Sequence, residues 1–183
     1  MVQRKFNGQR SPVHISSEGK VSLWGRLGGP HLLYEAPAYL LEEIQSLNLE
    51  PGKEYWLDGE LLDGKTKNPL YKHKIILYDV LQAGRYLMGV TLAARLELLK
   101  TICRFPQKRE PNIGIALQVT PNIWMAETFT DNFTERFTEF LAYDEIEGVV
   151  LKKLNSALDN FGNTEYEIEW LIRCRKPHKN YTL

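Results

Sequence analysis

The string Lys5-Phe6-Asn7-Gly8-Gln9-Arg10 constrains the fold more than any other stretch, because it sets an amine beside a turn signal with an arginine close behind. Asn and Gly both tolerate the positive φ that a two-residue hairpin demands, so the pair predicts a hairpin with Lys5 at a strand end. An amine held there faces whatever the following residues line. Such a lysine becomes a nucleophile when desolvation or neighbouring cations keep part of it neutral, and Arg4 and Arg10 are the first candidate cations. A basic hairpin with a solvated lysine is the other reading, and this string alone leaves both open.

At 183 residues the chain suits one domain and can bury a real core. No apolar run approaches the length that crosses a bilayer, and the polar, basic start lacks the apolar stretch of a secretion signal. The expectation is a cytoplasmic protein with no membrane partner. Cys103 and Cys174 have neither metal-ligand spacing nor the density of a disulfide scaffold, which fits a reducing compartment. The 23 basic residues balance 23 acidic ones, so bulk charge does not hold nucleic acid and any such partner needs a local patch. Arg173, Arg175, Lys176 and Lys179 crowd one end of the chain, and Arg4, Lys5 and Arg10 the other.

Alternation predicts strands over Pro12 to Ser16 and Lys20 to Trp24, followed by a Gly-rich loop from Gly25 to Pro30 that presents Arg26 either to solvent or to an anion. Leu40, Leu41, Ile44 and Leu47 share one helical face, as do Leu92, Leu96, Leu99 and Ile102. Tyr55 to Leu62 reads as an apolar strand interrupted by Asp58 and Glu60, carboxylates that face water, a metal, a lysine or a sugar hydroxyl. Lys74 to Leu81 returns as a strand after a loop marked by Asp63-Gly64 and Asn68-Pro69. Gly114 to Thr120 is expected to be a strand, and Asn132 to Leu141 a helix with Phe133, Phe137 and Phe140 inward. Glu147 to Lys152 is a further strand and 153 to 165 a loop. In the final strand, Tyr166 to Arg175, a period of two sets Arg173 and Arg175 on one face, where they can grip one anion together.

Taken in order, Lys5-Phe6-Asn7-Gly8-x-Arg10, Arg26, Asp58-Gly59-Glu60, Tyr78-Asp79, Glu147-Gly148-Val149-Val150-Leu151-Lys152 and Trp170-Leu171-Ile172-Arg173-Cys174-Arg175 resemble the ordered motifs of the covalent nucleotidyltransferase superfamily. That group comprises ATP-dependent DNA ligases, RNA ligases and mRNA capping enzymes. The Glu-Gly-Val-Val-x-Lys string is more similar to the ligases, which implies ATP and not GTP. The resemblance implies an α+β fold of antiparallel sheets flanked by helices, close to the ATP-grasp arrangement, with the nucleotide in a groove.

By that resemblance Lys5 attacks the α-phosphate of ATP, and the AMP passes by way of a 5′-phosphate end to a seal with a 3′-hydroxyl. Asn7 and Gly8 belong to the nucleotide site through the lysine motif. Glu60 matches a ribose-contacting carboxylate and Tyr78 a ring that stacks on adenine. Glu147 matches a carboxylate that helps hold Mg2+ and orient the lysine, with Asp58 a second metal candidate. Arg10 and Arg26 would reach the ribose or the phosphate end, and Arg173 and Arg175 the α-phosphate. The partners implied are nicked or single-stranded nucleic acid ends, in a compact enzyme of the sort viruses encode, whose compartment, if the chain is viral, would be the host cytoplasm.

The sequence departs from the pattern in three ways. Arginine stands at 173, where the family usually has lysine, and at 175, where it often does, and it meets phosphate as a planar fork in place of a compact donor. Only four residues precede Lys5, and no OB-fold domain follows the last motif, so a partner chain supplying one is an expectation. The alternative reading is a domain of the same fold, weakened in catalysis, that binds nucleotide or nucleic-acid ends.

Overall fold

Along Tyr55-Trp56-Leu57-Asp58-Gly59-Glu60, Tyr55 and Leu57 alternate with Trp56, Asp58 and Glu60, and a period of two suits an extended chain with one face in a core. The structure, a computed structural model, describes residues 1–31, 34–104, 115–158 and 170–177. There the stretch is a strand, Tyr55–Leu62, with Tyr55, Leu57, Gly59 and Leu61 buried. In chain order the strands are β1 (Val2–Phe6), β2 (Gln9–Arg10), β3 (Val13–Ile15), β4 (Val21–Leu23), β5 (Tyr55–Leu62), β6 (Lys74–Ala83), β7 (Arg85–Tyr86), β8 (Leu117–Gln118), β9 (Ile123–Met125), β10 (Thr128–Phe129), β11 (Ile146–Lys152) and β12 (Leu171–Arg175). The helices are α1 (Ala38–Gln45), α2 (Leu92–Ile102) and α3 (Phe133–Phe140).

Among the described residues the strands form two sheets. The larger runs β4-β3-β5-β6-β9-β8, with β2 also on β5 and β7 on β6, and the smaller runs β10-β1-β11-β12. All pairs are antiparallel except β6 with β9, which are parallel. Val13, Ile15, Leu57, Leu61, Ile75 and Leu77 of the larger sheet pack with Leu40 and Ile44 of α1 and Leu99 and Ile102 of α2. A second cluster joins Val2 and Phe6 of β1 to Ile76 and Trp124 of the larger sheet and to Phe140 of α3. Burying such apolar side chains, at roughly 1.5–3 kcal/mol each, is what holds the two sheets and their helices together.

Helix α2 starts where Thr91 Oγ1 accepts a bond from the Ala94 amide, and Lys100 lies in its last turn, where positive charge is favoured. Its buried stripe includes Arg95, whose guanidinium donates to both oxygens of Asp79 at 2.9 and 2.8 Å. A charge is tolerated in that core because both partners are held and satisfied.

The Asn-Gly turn is where the sequence expectation fails most instructively. Strands β1 and β2 do not pair with each other: β1 belongs to the smaller sheet and β2 lies on β5. Asn7-Gly8 is the crossing between sheets, and neither residue has positive φ. Gly8 is needed for room, since a Cβ there would lie 2.5 Å from the Leu61 carbonyl oxygen. In α3, Phe140 is buried and Phe137 partly so, but Phe133 is 40% exposed. The strand expected from Gly114 is short, Leu117–Gln118, and residue 114 lies outside the described residues. The same is true of 159–165 in the expected loop and 166–169 in the expected last strand.

Candidate active site

Lys5, Gly148 and Arg175 form one row across the smaller sheet, Lys5 opposite Gly148 on β11 and Gly148 opposite Arg175 on β12. Glycine puts no side chain in the middle of that row. Gly148 has φ +150°, and a Cβ there would lie 2.0 Å from the Cys174 carbonyl oxygen and 2.8 Å from Arg175 Cα. Only glycine fits that backbone at that spacing. The β1–β11 register slips between Lys5 and Phe6, which, with the Gly148 backbone, interrupts the alternation of sides. Glu147 thereby makes an ion pair with the Lys5 amine and lies 3.8 Å from Arg175 Nε.

Burial is the main reason the Lys5 amine sits below the ordinary lysine pKa; Arg175 and Arg173 push it the same way and Glu60 opposes them. The cations that tune it therefore come from β12. Arg4, expected from sequence to be one, lies buried elsewhere, donating to Glu127 at 2.9 Å and to the Ile115 carbonyl at 3.1 Å beneath the Phe140 ring. Arg10 donates to Asp58 at 2.9 Å, and the paired carboxylate holds its pKa up.

The larger sheet contributes the acidic side of the site. Glu60 faces Arg10 in the β2–β5 register and accepts a bond from the Gly8 amide at 3.1 Å. Burial raises its pKa to about 7 against the pull of Lys5, with Asp58 adding to the rise. Tyr78 is partly buried; desolvation raises its pKa, Glu60 and Asp58 add to the rise, and its ring is 6.2 Å from that of Phe6. The neighbouring Asp79 is the partner of Arg95, so the Tyr78 backbone is anchored from behind.

Lys152 belongs here too, though sequence gave it no role. Its amine donates to Gln3 Oε1 at 3.0 Å and lies 5.7 Å from the Tyr78 ring centroid. Burial lowers its pKa while Asp58 and Asp79 raise it. As the last residue of an apolar strand it read as an end charge, and only the packing of one sheet on the other reveals its setting.

The remaining expected residues lie at the edge. The Asn7 backbone amide donates to the Glu145 carbonyl at 2.8 Å, which fixes the crossing. Arg26 is exposed, and with Arg10, Trp24 and Trp56 it lines an open hollow of about 320 Å³. Arg173 lies two residues from Arg175 on β12 and is also exposed.

Among the described residues no three His, Cys, Asp or Glu side chains converge as a metal cage. Magnesium is commonly held by one or two carboxylates together with substrate phosphates. Glu147, 30% exposed and beside the Lys5 amine, suits that kind of site. Asp58 is already engaged by Arg10.

The fold matches that of ligase domains among solved structures. The ligase domain of LigD from M. tuberculosis matches with a TM-score of 0.64 at 19% identity, covering 95% of this chain and 52% of that one. Two structures of Pmar-Lig, Pre and PreS3, match with TM-scores of 0.62 and 0.61 at 16% and 17% identity, covering 96% of this chain and 42% of each of theirs. The chain thus spans about half the length of these structures or less. No family model and no curated protein sequence matches. No described helix is long and apolar enough to cross a membrane.

Proposed function

We propose that the chain is the adenylation domain of an ATP-dependent polynucleotide ligase acting through a covalent Lys5–AMP. The observation that carries this reading is the Lys5–Gly148–Arg175 row, which sets an amine and a guanidinium about the Glu147 carboxylate. Lys5 Nζ forms a bond to the α-phosphorus of ATP as the bond to the pyrophosphate oxygen breaks, and the amine's proton passes to Glu147 or water. A 5′-phosphate oxygen then takes the adenylyl group from Lys5, and a 3′-hydroxyl attacks that phosphate as AMP departs.

Positioning and fixed charge supply most of such catalysis. Arg175 and Arg173 hold the α-phosphate oxygens, and they also depress the Lys5 pKa, which raises the fraction of neutral amine. Glu60 and Tyr78 bind the ribose and adenine, with Asn7 and Gly8 placing Glu60 through the Gly8 amide. A bound Mg2+ would neutralise phosphate charge next to Glu147, with Asp58 as a second ligand only if it leaves Arg10. Arg10 and Arg26 receive the nucleic acid end, and an OB-fold domain from a longer chain or a partner orients the pyrophosphate.

Incubation with α-labelled ATP and magnesium followed by denaturing electrophoresis tests this. Wild type should carry label and Lys5→Ala none. A specific observation favours a second reading: guanidiniums occupy the two α-phosphate positions, and a guanidinium does not give up a proton as lysine can. A domain weakened in this way would be stabilised thermally by ATP without becoming labelled.

A further inference from the structure

Beside Arg10, which reaches into both regions, β3, β5 and Trp24, the residue after β4, build an aromatic cluster that the adenylation chemistry does not use. His14 stacks on Trp56 with ring centroids 4.4 Å apart and planes at 26°, and Trp24 meets Trp56 edge-on at 5.1 Å. The rings are pinned by polar bonds. Trp24 Nε1 donates to Ser22 Oγ at 3.0 Å, and His14 Nε2 is 2.6 Å from Glu54 Oε1. Both indoles nevertheless remain partly exposed, and both line the 320 Å³ hollow with Arg10 and Arg26.

The loop that closes the hollow is tied by its own backbone. The Gly25 amide donates to the Gly29 carbonyl at 2.6 Å, Gly28 donates back to Gly25, and Trp24 bridges Pro30. Two guanidiniums beside two fixed indoles fit a ligand with an anionic end and a flat, apolar-faced body. A nucleotide at the end of a strand has both, and an aromatic face accepts any base that is not already stacked. With a formal net charge of zero, such a local site also answers how this chain holds a polyanion.

We propose that Trp24 and Trp56 stack the unpaired terminal base of a 5′-phosphorylated strand whose phosphate meets Arg10 and Arg26. This rests on the ligase reading for the identity of the end, and it adds a base-binding wall to the phosphate contacts. The end recognised is an unpaired one, because a base stacked inside a duplex offers no free face.

The test is binding of the full chain to a 5′-phosphorylated single-stranded oligonucleotide, compared with the same strand lacking only its 5′-terminal base. The intact strand should bind roughly tenfold more tightly, the size of one base–aromatic stack. Trp56→Ala should bring the two strands level, and Trp56→Tyr should keep most of the difference. Arg26→Ala should weaken both strands alike. Equal binding of the two strands by wild type overturns the proposal and needs no variant that must fold. Labelling of wild-type Lys5 by ATP, read on the same preparation, separates the two ideas. Label without a base preference sinks the stacking site alone, while a base preference without label supports it and counts against ligase activity.

Discussion

Lys5 and Arg175 lie on opposite sides of Gly148 in a single cross-strand row, and one carboxylate oxygen of Glu147 meets both, paired with the Lys5 amine and 3.8 Å from Arg175 Nε. Their spacing is set by backbone, through a strand that no side chain at 148 could hold so close to β12. A local need for glycine thus sets an amine and a guanidinium about one carboxylate oxygen of Glu147, a place that already favours an anionic group.

Gly148→Ala tests this directly. The added Cβ forces β12 away from β11 or distorts a backbone that alanine rarely adopts, for a loss of roughly 2–4 kcal/mol in urea unfolding. Nucleotide-dependent stabilisation should fall with it. A variant as stable as wild type would mean that β12 does not lie where the row requires.

Arg175→Ala should move the pH dependence of Lys5 reactivity upward, since the guanidinium lowers the amine's pKa. Arg175→Lys should keep the wild-type profile because it keeps the charge. Labelling rate against pH, or reaction with an amine-directed reagent, reads the shift. No shift in Arg175→Ala would show that Arg175 does not tune the amine.

Glu60 gives a pH dependence of definite sign. Its carboxyl titrates at about 7 in the fold against 4.5 when unperturbed. Below that lower value both folded and unfolded chains hold the proton and the residue costs nothing. As pH climbs towards 7 the unfolded carboxyl ionises first, so the penalty grows, and it is complete above the folded pKa. Glu60→Gln should therefore be more stable than wild type at about pH 8, with the difference fading towards about pH 4. Unfolding measured at both ends checks it; a constant difference would place Glu60 in solvent.

Asp79 and Arg95 form a bidentate buried pair directly behind Tyr78. Removing one partner leaves an uncompensated charge, so Asp79→Ala should cost roughly 3–5 kcal/mol. Replacing both with apolar residues should cost much less, and a double-mutant cycle gives the coupling. An additive cycle would contradict the pairing.

Much of this was legible in sequence where a period repeats for long enough. The alternation in Tyr55–Leu62 predicted β5, and the helical spacing of Leu92, Leu96, Leu99 and Ile102 predicted the buried stripe of α2. Period-two placement of Arg173 and Arg175 on one face likewise needs only a strand, and β12 is one. Asn7-Gly8 misled because a turn preference is local, whereas Gly8 answers to the Leu61 carbonyl on a distant strand. Ile123–Met125 offered no signal, since three residues all buried show no alternation and the parallel partner β6 lies far away in sequence. The pairing of Asp79 with Arg95 and the setting of Lys152 are tertiary facts, invisible until one element packs on another.

The most direct measurement is the intact mass of the full chain after incubation with ATP and magnesium, followed by peptide mapping. The expected result is a gain of one AMP, carried by Lys5 and reversed by added pyrophosphate. No gain, or a gain on any other residue, would contradict the assignment of Lys5 as the nucleophile.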